Sequence, residues 1–292
     1  MRYLALILTV CYVANSYGQP SVKYLNQTPP STTPEVFAPG LISQNNEYEF
    51  GSVFNADFTE FFYGVEGQNA SEIRYSQRTP GGWTDPVVML QHPRDGHNDP
   101  FLSPDEQRLY FISQRAKDGD GPPEDYDIWY VERQGKGWSE PINAGPNINT
   151  GGNEYYISFT AEGTMYFGSN REDSNFDIYA SAMKDGEFQT AVRLPGAVNT
   201  KYYEADVFVD PQERYLIFCA QRPHGLGEGD LYISFKNTDG SWTESKNMGA
   251  PINSTGHELC PFVSADGKYL FYTSRQDIYW VDTKVIWDMQ ED

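Results

Sequence analysis

The chain has 292 residues with 26 Gly, 19 Pro and 15% aromatic side chains, enough for one large all-β domain or two small ones; the many turn formers exclude a long-helix protein, and the aromatics exclude a disordered acidic tail. Forty-one acidic against 21 basic residues give a formal charge of −20, which excludes nucleic acid and anionic membranes as partners, because phosphate recognition needs a positive field. Cations and neutral or basic ligands remain.

In chain order, residues 1–18 read as a secretory signal: basic Arg2, an apolar run from Leu4 to Val13, and small residues in Ser16-Tyr17-Gly18 before Gln19. The expected location is therefore secreted or periplasmic. Leu8-Thr9-Val10-Cys11 resembles a lipobox, but Val10 stands where a small residue is wanted, which disfavours a lipid anchor. Cleavage removes one positive charge, so −20 − 1 = −21 for the mature chain, and leaves no spanning-type apolar stretch. Cys219 and Cys260 would then be the remaining cysteines, paired or free. Residues 19–34, rich in Pro, Ser and Thr, read as a linker.

From there a repeat dominates. DPFLSPDEQRLYFISQR, DYDIWYVE and GWSEPINAGPNINT from Asp99 return as YISFTAEGTMYFGSNR, FDIYASA and EFQTAVRLPGAVNT. They return again as DVFVDPQERYLIFCAQR, GDLYISF and SWTESKNMGAPINST, and finally as CPFVSADGKYLFYTSR and QDIYWVD. A looser copy, SVFNADFTEFFYG, SEIRYSQ and GWTDPVVML, comes first, giving five copies. Each holds three alternating apolar runs and a shorter fourth after a Trp-Ser/Thr-Glu/Asp-Pro element, the pattern of a four-stranded antiparallel blade. The blades are expected at 47–90, 97–150, 154–200, 204–255 and 258–285. The last copy lacks its fourth run, and Phe37–Ser43 matches that phrase, so a strand at 37–43 is expected to close the ring and remove two open edges. The expectation is an all-β, five-bladed propeller over 35–292.

The phrases SPDxxxLYFxSxR, DIY and GxWSEPxNxGxxINTxxNE resemble the WD40-like repeat of the TolB β-propeller group, especially exported bacterial versions joined to OmpA-type domains. The resemblance covers most of the mature chain. It implies the propeller fold and a family of translocation scaffolds, binding modules and a few polysaccharide lyases.

Aligning the copies on Arg115, Arg171, Arg222 and Arg275 puts Glu49, His97, Glu154, Glu204 and Glu258 in one column at the start of each innermost strand. Four carboxylates and one imidazole around a channel mouth would attract calcium or a cationic ligand, with Glu154, Glu204 and Glu258 as metal ligands. Alternatively each Glu pairs with an Arg and fixes blade against blade. His97 breaks the pattern. The column Asp127, Asp177, Asp230 and Asp277 is expected to cap turns through backbone amides. Trp83, Trp138 and Trp242, with Phe188 in the fourth place, should pack between blades. The stretch 117–125 resembles half of a calcium loop and, with the loop 222–229, would edge the mouth.

No nucleophile elbow, Cys/His metal spacing or phosphate loop occurs in the sequence. The favoured reading is a non-catalytic binding or interaction module. Tyr48, Tyr155, Tyr156, Tyr202 and Tyr203 flank the column, which points to a carbohydrate ligand; a peptide or envelope protein is the competing partner. The enzymatic alternative is a polysaccharide lyase or glycoside hydrolase using the column carboxylates and His97. The lyase resemblance implies histidines at a metal, and His92, His97, His224 and His257 are the four available.

Overall fold

The computed structural model of the chain describes residues 22–117, 121–172 and 175–291. Five antiparallel sheets follow one another, each beginning with its innermost strand: Glu49–Phe54, Asn98–Leu102, Glu154–Phe159, Tyr203–Val209 and Leu259–Val263. In blade 1 the order outward is Glu49–Phe54, Glu60–Val65, Glu72–Thr79 and Val87–Leu90; the other blades repeat it. The alternating pattern explains the arrangement, because successive side chains of a strand enter the two junctions with neighbouring blades. The second strands are accordingly buried nearly end to end, as in Tyr215–Gln221.

A five-fold stitch joins the blades. The amides of Glu49, His97, Glu154, Glu204 and Glu258 donate to the carbonyls of Gln276, Ser71, Tyr126, Phe176 and Gly229, at 2.7–3.1 Å. Each acceptor is the residue just before the third strand of the preceding blade, so blade 5 is stitched to blade 1 as the others are to each other.

The outermost strand of the fifth blade is Glu35–Val36, antiparallel to Asp277–Asp282, ahead of the expected 37–43. Phe37 adds an amide bond to Ile278 at 2.7 Å, after which Ala38–Ser43 turns back on itself through Ile42 N to Ala38 O at 2.9 Å. The expected linker also packs. Tyr24 and Leu25 are 2% exposed, and Tyr24 stands edge-on to Phe58 and Tyr269 while donating to Asp266 at 2.6 Å. All seven residues from 28 to 34 are Pro, Ser or Thr, but the aromatic ahead of them carries enough apolar area to anchor it. The chain's C-terminal helix, α1 (Lys284–Glu291), lies against blade 4 through Trp287, edge-on to Tyr215 at 5.6 Å. The expected signal segment, residues 1–18, lies outside the described residues; among the latter no helix is long and apolar enough to cross a membrane.

Candidate functional site at the channel mouth

The column Glu49, His97, Glu154, Glu204 and Glu258 does begin the innermost strands, but it does not open onto the channel. The four glutamates are 0% exposed and His97 is 2% exposed. Each carboxylate turns back to the end of the preceding blade's outer phrase. Glu154 accepts from the amide and hydroxyl of Thr150 at 3.2 and 2.8 Å, from Ser169 Oγ at 2.8 Å and from Arg171 at 3.3 Å. Glu204 takes the Thr200 amide and hydroxyl at 3.0 and 2.6 Å and Arg222 Nε at 2.8 Å. Glu258 takes Ser254 N, Ser254 Oγ and Ser274 Oγ, with no ion pair among the described residues. Glu49 keeps one amide bond, from Gln44 at 3.0 Å, and its Oε2 has no partner; burial pushes its pKa up to about 7.

A calcium ion at Glu154, Glu204 and Glu258 would have to displace these donors. Among the described residues no group of three acidic, His or Cys side chains converges as a metal site. The Arg column divides likewise: Arg171 and Arg222 meet their glutamates, Arg115 lies over the Trp129 ring at 5.9 Å, and Arg275 is exposed. His97 is buried against Phe111, its Nδ1 has no partner, and desolvation pulls its pKa down to about 4. A neutral imidazole therefore stands where the other blades hold carboxylates.

The Asp column also differs from expectation. Among the described residues, only Asp230 takes backbone amides, from Leu226 and Gly227 at 2.6 and 3.1 Å. Asp127 instead accepts from Asn143 at 2.8 Å, and Asp177 forms a two-pronged pair with Arg193 at 2.6 and 2.7 Å, tying the third strand to the outermost one. Both Cys219 and Cys260 are free and buried. Of the stretch 117–125, residues 118–120 lie outside the described ones. The loop 222–229 packs against blade 5, Glu228 N donating to Gly256 O at 2.7 Å.

The residues that do face the channel stand two positions after the column. Gly51, Asp99, Tyr156, Asp206 and Cys260 each have a positive φ, between 45° and 52°. Each lies where the pairing of the innermost strand slips, between Phe50 and Ser52 in blade 1 and at the matching place in every other blade. A bulge with a left-handed residue re-aims the side chains around it. That they converge across the axis follows from contacts between blades that are not neighbours. The Cys260 thiol of blade 5 reaches Asp99 Oδ1 of blade 2 at 3.4 Å, and Tyr156 Oη of blade 3 donates to Pro261 O of blade 5 at 2.7 Å. Gly51 makes room for this: a Cβ there would stand 2.6 Å from Asp99 Oδ1, besides the strain of its φ of 45°.

Above this floor lies a cavity of about 260 Å³ walled by Tyr48, Phe50, Tyr126, Tyr155, Tyr203 and Leu259, with Asp99, Asp206 and Cys260 at its base and His257 at its side. Among the described residues, no lysine or arginine lines it. Asp99 and Asp206 are 7% and 8% exposed, and burial raises both pKa values, the Asp99 charge adding to the effect on Asp206. With no cation beside them, the pair holds protons that solvent-exposed carboxyls would have lost. Burial likewise raises the Tyr155 pKa to about 12 and lifts those of Tyr48, Tyr126 and Tyr203, so all four hydroxyls remain hydrogen-bond donors. His257, its pKa lowered by burial, sits 3.3 Å from the Cys219 sulfur. The opposite end of the channel is apolar, lined by Phe54, Phe101, Phe159, Phe208 and Phe262 from the ends of the same five strands.

Of the tyrosines flanking the column, Tyr48, Tyr155 and Tyr203 line the cavity, Tyr156 is buried in the floor, and Tyr202 lies outside the cavity under Lys201. Asp99, Asp206 and Tyr126 were not singled out by sequence. The available signal was variation: the column two residues on reads Gly, Asp, Tyr, Asp, Cys, whereas structural columns repeat.

Solved structures place this architecture. Over 80% of the chain and 53% of the other, it superposes on TolB from Acinetobacter baumannii with a TM-score of 0.50 at 15% identity. Its fold resembles TolB's. It also superposes on XC5397 from Xanthomonas campestris, a gluconolactonase, with a TM-score of 0.50 at 16% identity over 79% of this chain and 70% of that one. The chain spans about half the length of the Acinetobacter protein. No protein-family model and no curated protein matches it.

Proposed function

We propose that the protein is an exported ligand-binding propeller, that its site is the tyrosine-walled channel mouth, and that its ligand is a carbohydrate. The observation that carries this reading is the combination in one cavity of four tyrosines with the Asp99–Asp206 pair and, among the described residues, no lysine or arginine. Tyrosine rings offer flat apolar faces to the C–H faces of a sugar, and a carboxyl pair that retains protons offers both donors and acceptors to hydroxyls. An anionic ligand would meet no counter-charge.

The test is calorimetric titration with a panel of neutral and acidic glycans. Tyr155→Ala is expected to weaken binding ~10-fold by loss of stacking, and Asp206→Asn by ~10-fold through loss of the carboxyl's hydroxyl and of its geometry toward sugar hydroxyls. Absence of heat from every glycan, with a protein co-purifying instead, would turn the reading toward an envelope-protein partner.

A catalytic reading, as a lyase or glycoside hydrolase, moves from the column to Asp99 and Asp206, since Glu154, Glu204 and Glu258 are sealed from any polysaccharide. Raised carboxyl pKa values suit general acids. Reducing ends and unsaturated-uronate absorbance read on the same panel are expected to stay silent; release that disappears in Asp206→Asn would make the site an active one.

A further inference from the structure

The outer hairpins repeat a pairing that fails in one blade. In blades 1, 2 and 4 a tryptophan stands opposite a cation: Trp83 with Arg78, Trp138 with Arg133, Trp242 with Lys236. The cation lies over the indole at 4.4 Å in blade 2 and 4.3 Å in blade 4. These indoles close junctions. Trp138 packs edge-on against Phe62 of blade 1 while Arg133 bridges to Glu60 of that blade, and Trp242 packs with Tyr166 of blade 3 while Lys236 pairs with Glu213 at 3.3 Å. Among the described residues blade 5 has no such hairpin, yet Trp287 of α1 fills its junction with blade 4, under Arg214 at 5.2 Å.

Blade 3 changes both members: Met183 stands opposite Phe188. The smaller ring reaches Tyr110 of blade 2 at 6.4 Å, and a cleft of about 580 Å³ remains between the blades. Among the described residues no cation crosses it in the manner of Arg133. Arg108, at the register position of Glu60, pairs within its own blade with Glu132 at 3.0 Å and lies over Tyr130.

We infer that this cleft between blades 2 and 3 is a docking site for a tryptophan side chain of a partner polypeptide, flanked there by lysine or arginine. The occupant follows from the other junctions, where the same position is filled by an indole from this chain. Tyr110 and Phe188 present aromatic faces, and the Met183 thioether adapts to an aromatic ring. The basic flank follows from the rim, where Asp105 and Glu162 are exposed carboxylates on a chain of net charge −20, while the two arginines that also line the cleft, Arg108 and Arg133, are already paired with Glu132 and Glu60. This site is separate from the channel mouth and does not depend on the carbohydrate reading.

The experiment titrates the chain, labelled at methionine methyls, with the tripeptide Lys-Trp-Lys and with Lys-Ala-Lys as control. The Met183 resonance is expected to shift with the tryptophan peptide, saturating in the micromolar to millimolar range, and to stay still with the control. The double substitution Met183→Arg/Phe188→Trp rebuilds the pairing of the other blades; it is expected to melt no lower than the parent and to lose peptide binding at least 10-fold. Met183→Lys alone serves if the double variant does not fold, with the same expected loss. An unmoved Met183 methyl, an equal response to Lys-Ala-Lys, or undiminished peptide affinity in the folded variant would overturn the proposal.

Discussion

Glu204→Ala is expected to destabilise the protein by about 3–5 kcal/mol, lowering Tm by ~10 °C, because it strips a buried arginine of its anion. Arg222 is 12% exposed and would keep Ser245 Oγ and Val198 O as acceptors, but no negative charge. The Thr200 amide and hydroxyl would lose their acceptor together. Glu258→Ala is the internal control: its carboxylate is held by Ser254 and Ser274 hydroxyls and an amide, without an arginine, so the cost is expected to be ~1–3 kcal/mol. Thermal or denaturant unfolding of the two variants measures the difference. Equal losses would mean that the ion pair adds nothing beyond the hydroxyl and amide bonds. Glycan binding in both folded variants is expected to match the parent, since neither residue touches the cavity.

The second expected result concerns pH. Asp99 and Asp206 have raised pKa values in the folded chain, so between the ordinary aspartate range and their folded values the native state holds more protons than the unfolded one. Stability then falls as pH rises through that window and is flat above it. Glu49, raised to about 7, acts in the same direction. His97, lowered to about 4, acts in the opposite one: between about 4 and its ordinary 6.5 the unfolded state binds more protons, and stability rises with pH. The opposing contributions offset each other below about pH 6.5, and above it the carboxyls act, joined in the alkaline range by the buried Cys219 and Cys260 thiols, whose pKa values burial also raises, so stability should decline from there into the mildly alkaline range. Asp99→Asn combined with Asp206→Asn is expected to be close to neutral near pH 5 and to stabilise at pH 9 by on the order of 3 kcal/mol. Urea unfolding at the two pH values reads the effect; a parent whose stability rises from pH 7 to 9 would contradict it. The same pair of substitutions should weaken glycan binding, which separates the two roles of these carboxyls: costly to the fold and useful to the site.

How much of this was legible in advance differs between the repeated columns and the rest. The five copies, their strands and the column from Glu49 to Glu258 were readable because every blade must solve the same packing problem, so the same residue types return at the same offsets. Phe188 in a tryptophan's place was readable for the same reason, as a break in a column. The segment around Tyr24 has the Pro, Ser and Thr content of a linker yet packs through Tyr24 and Leu25, because composition does not register one aromatic that finds a pocket.

By itself the sequence determined the propeller, its blade number, its acidity and the positions of the innermost strands, all of which depend on local periodicity repeated along the chain. Only the tertiary structure decided which side chains meet at the axis. Strict alternation from Glu154 would put Glu154 and Tyr156 on the same face of the blade, but one left-handed residue per innermost strand breaks the alternation in every blade. It turns the glutamates back to serve the preceding blade and brings Asp99, Asp206 and Cys260 together from strands more than 50 residues apart, as the Cys260–Asp99 contact across 161 residues shows. A bulge is a property of paired strands, and the acid pair it creates exists only once the ring brings blades 2, 4 and 5 around one axis.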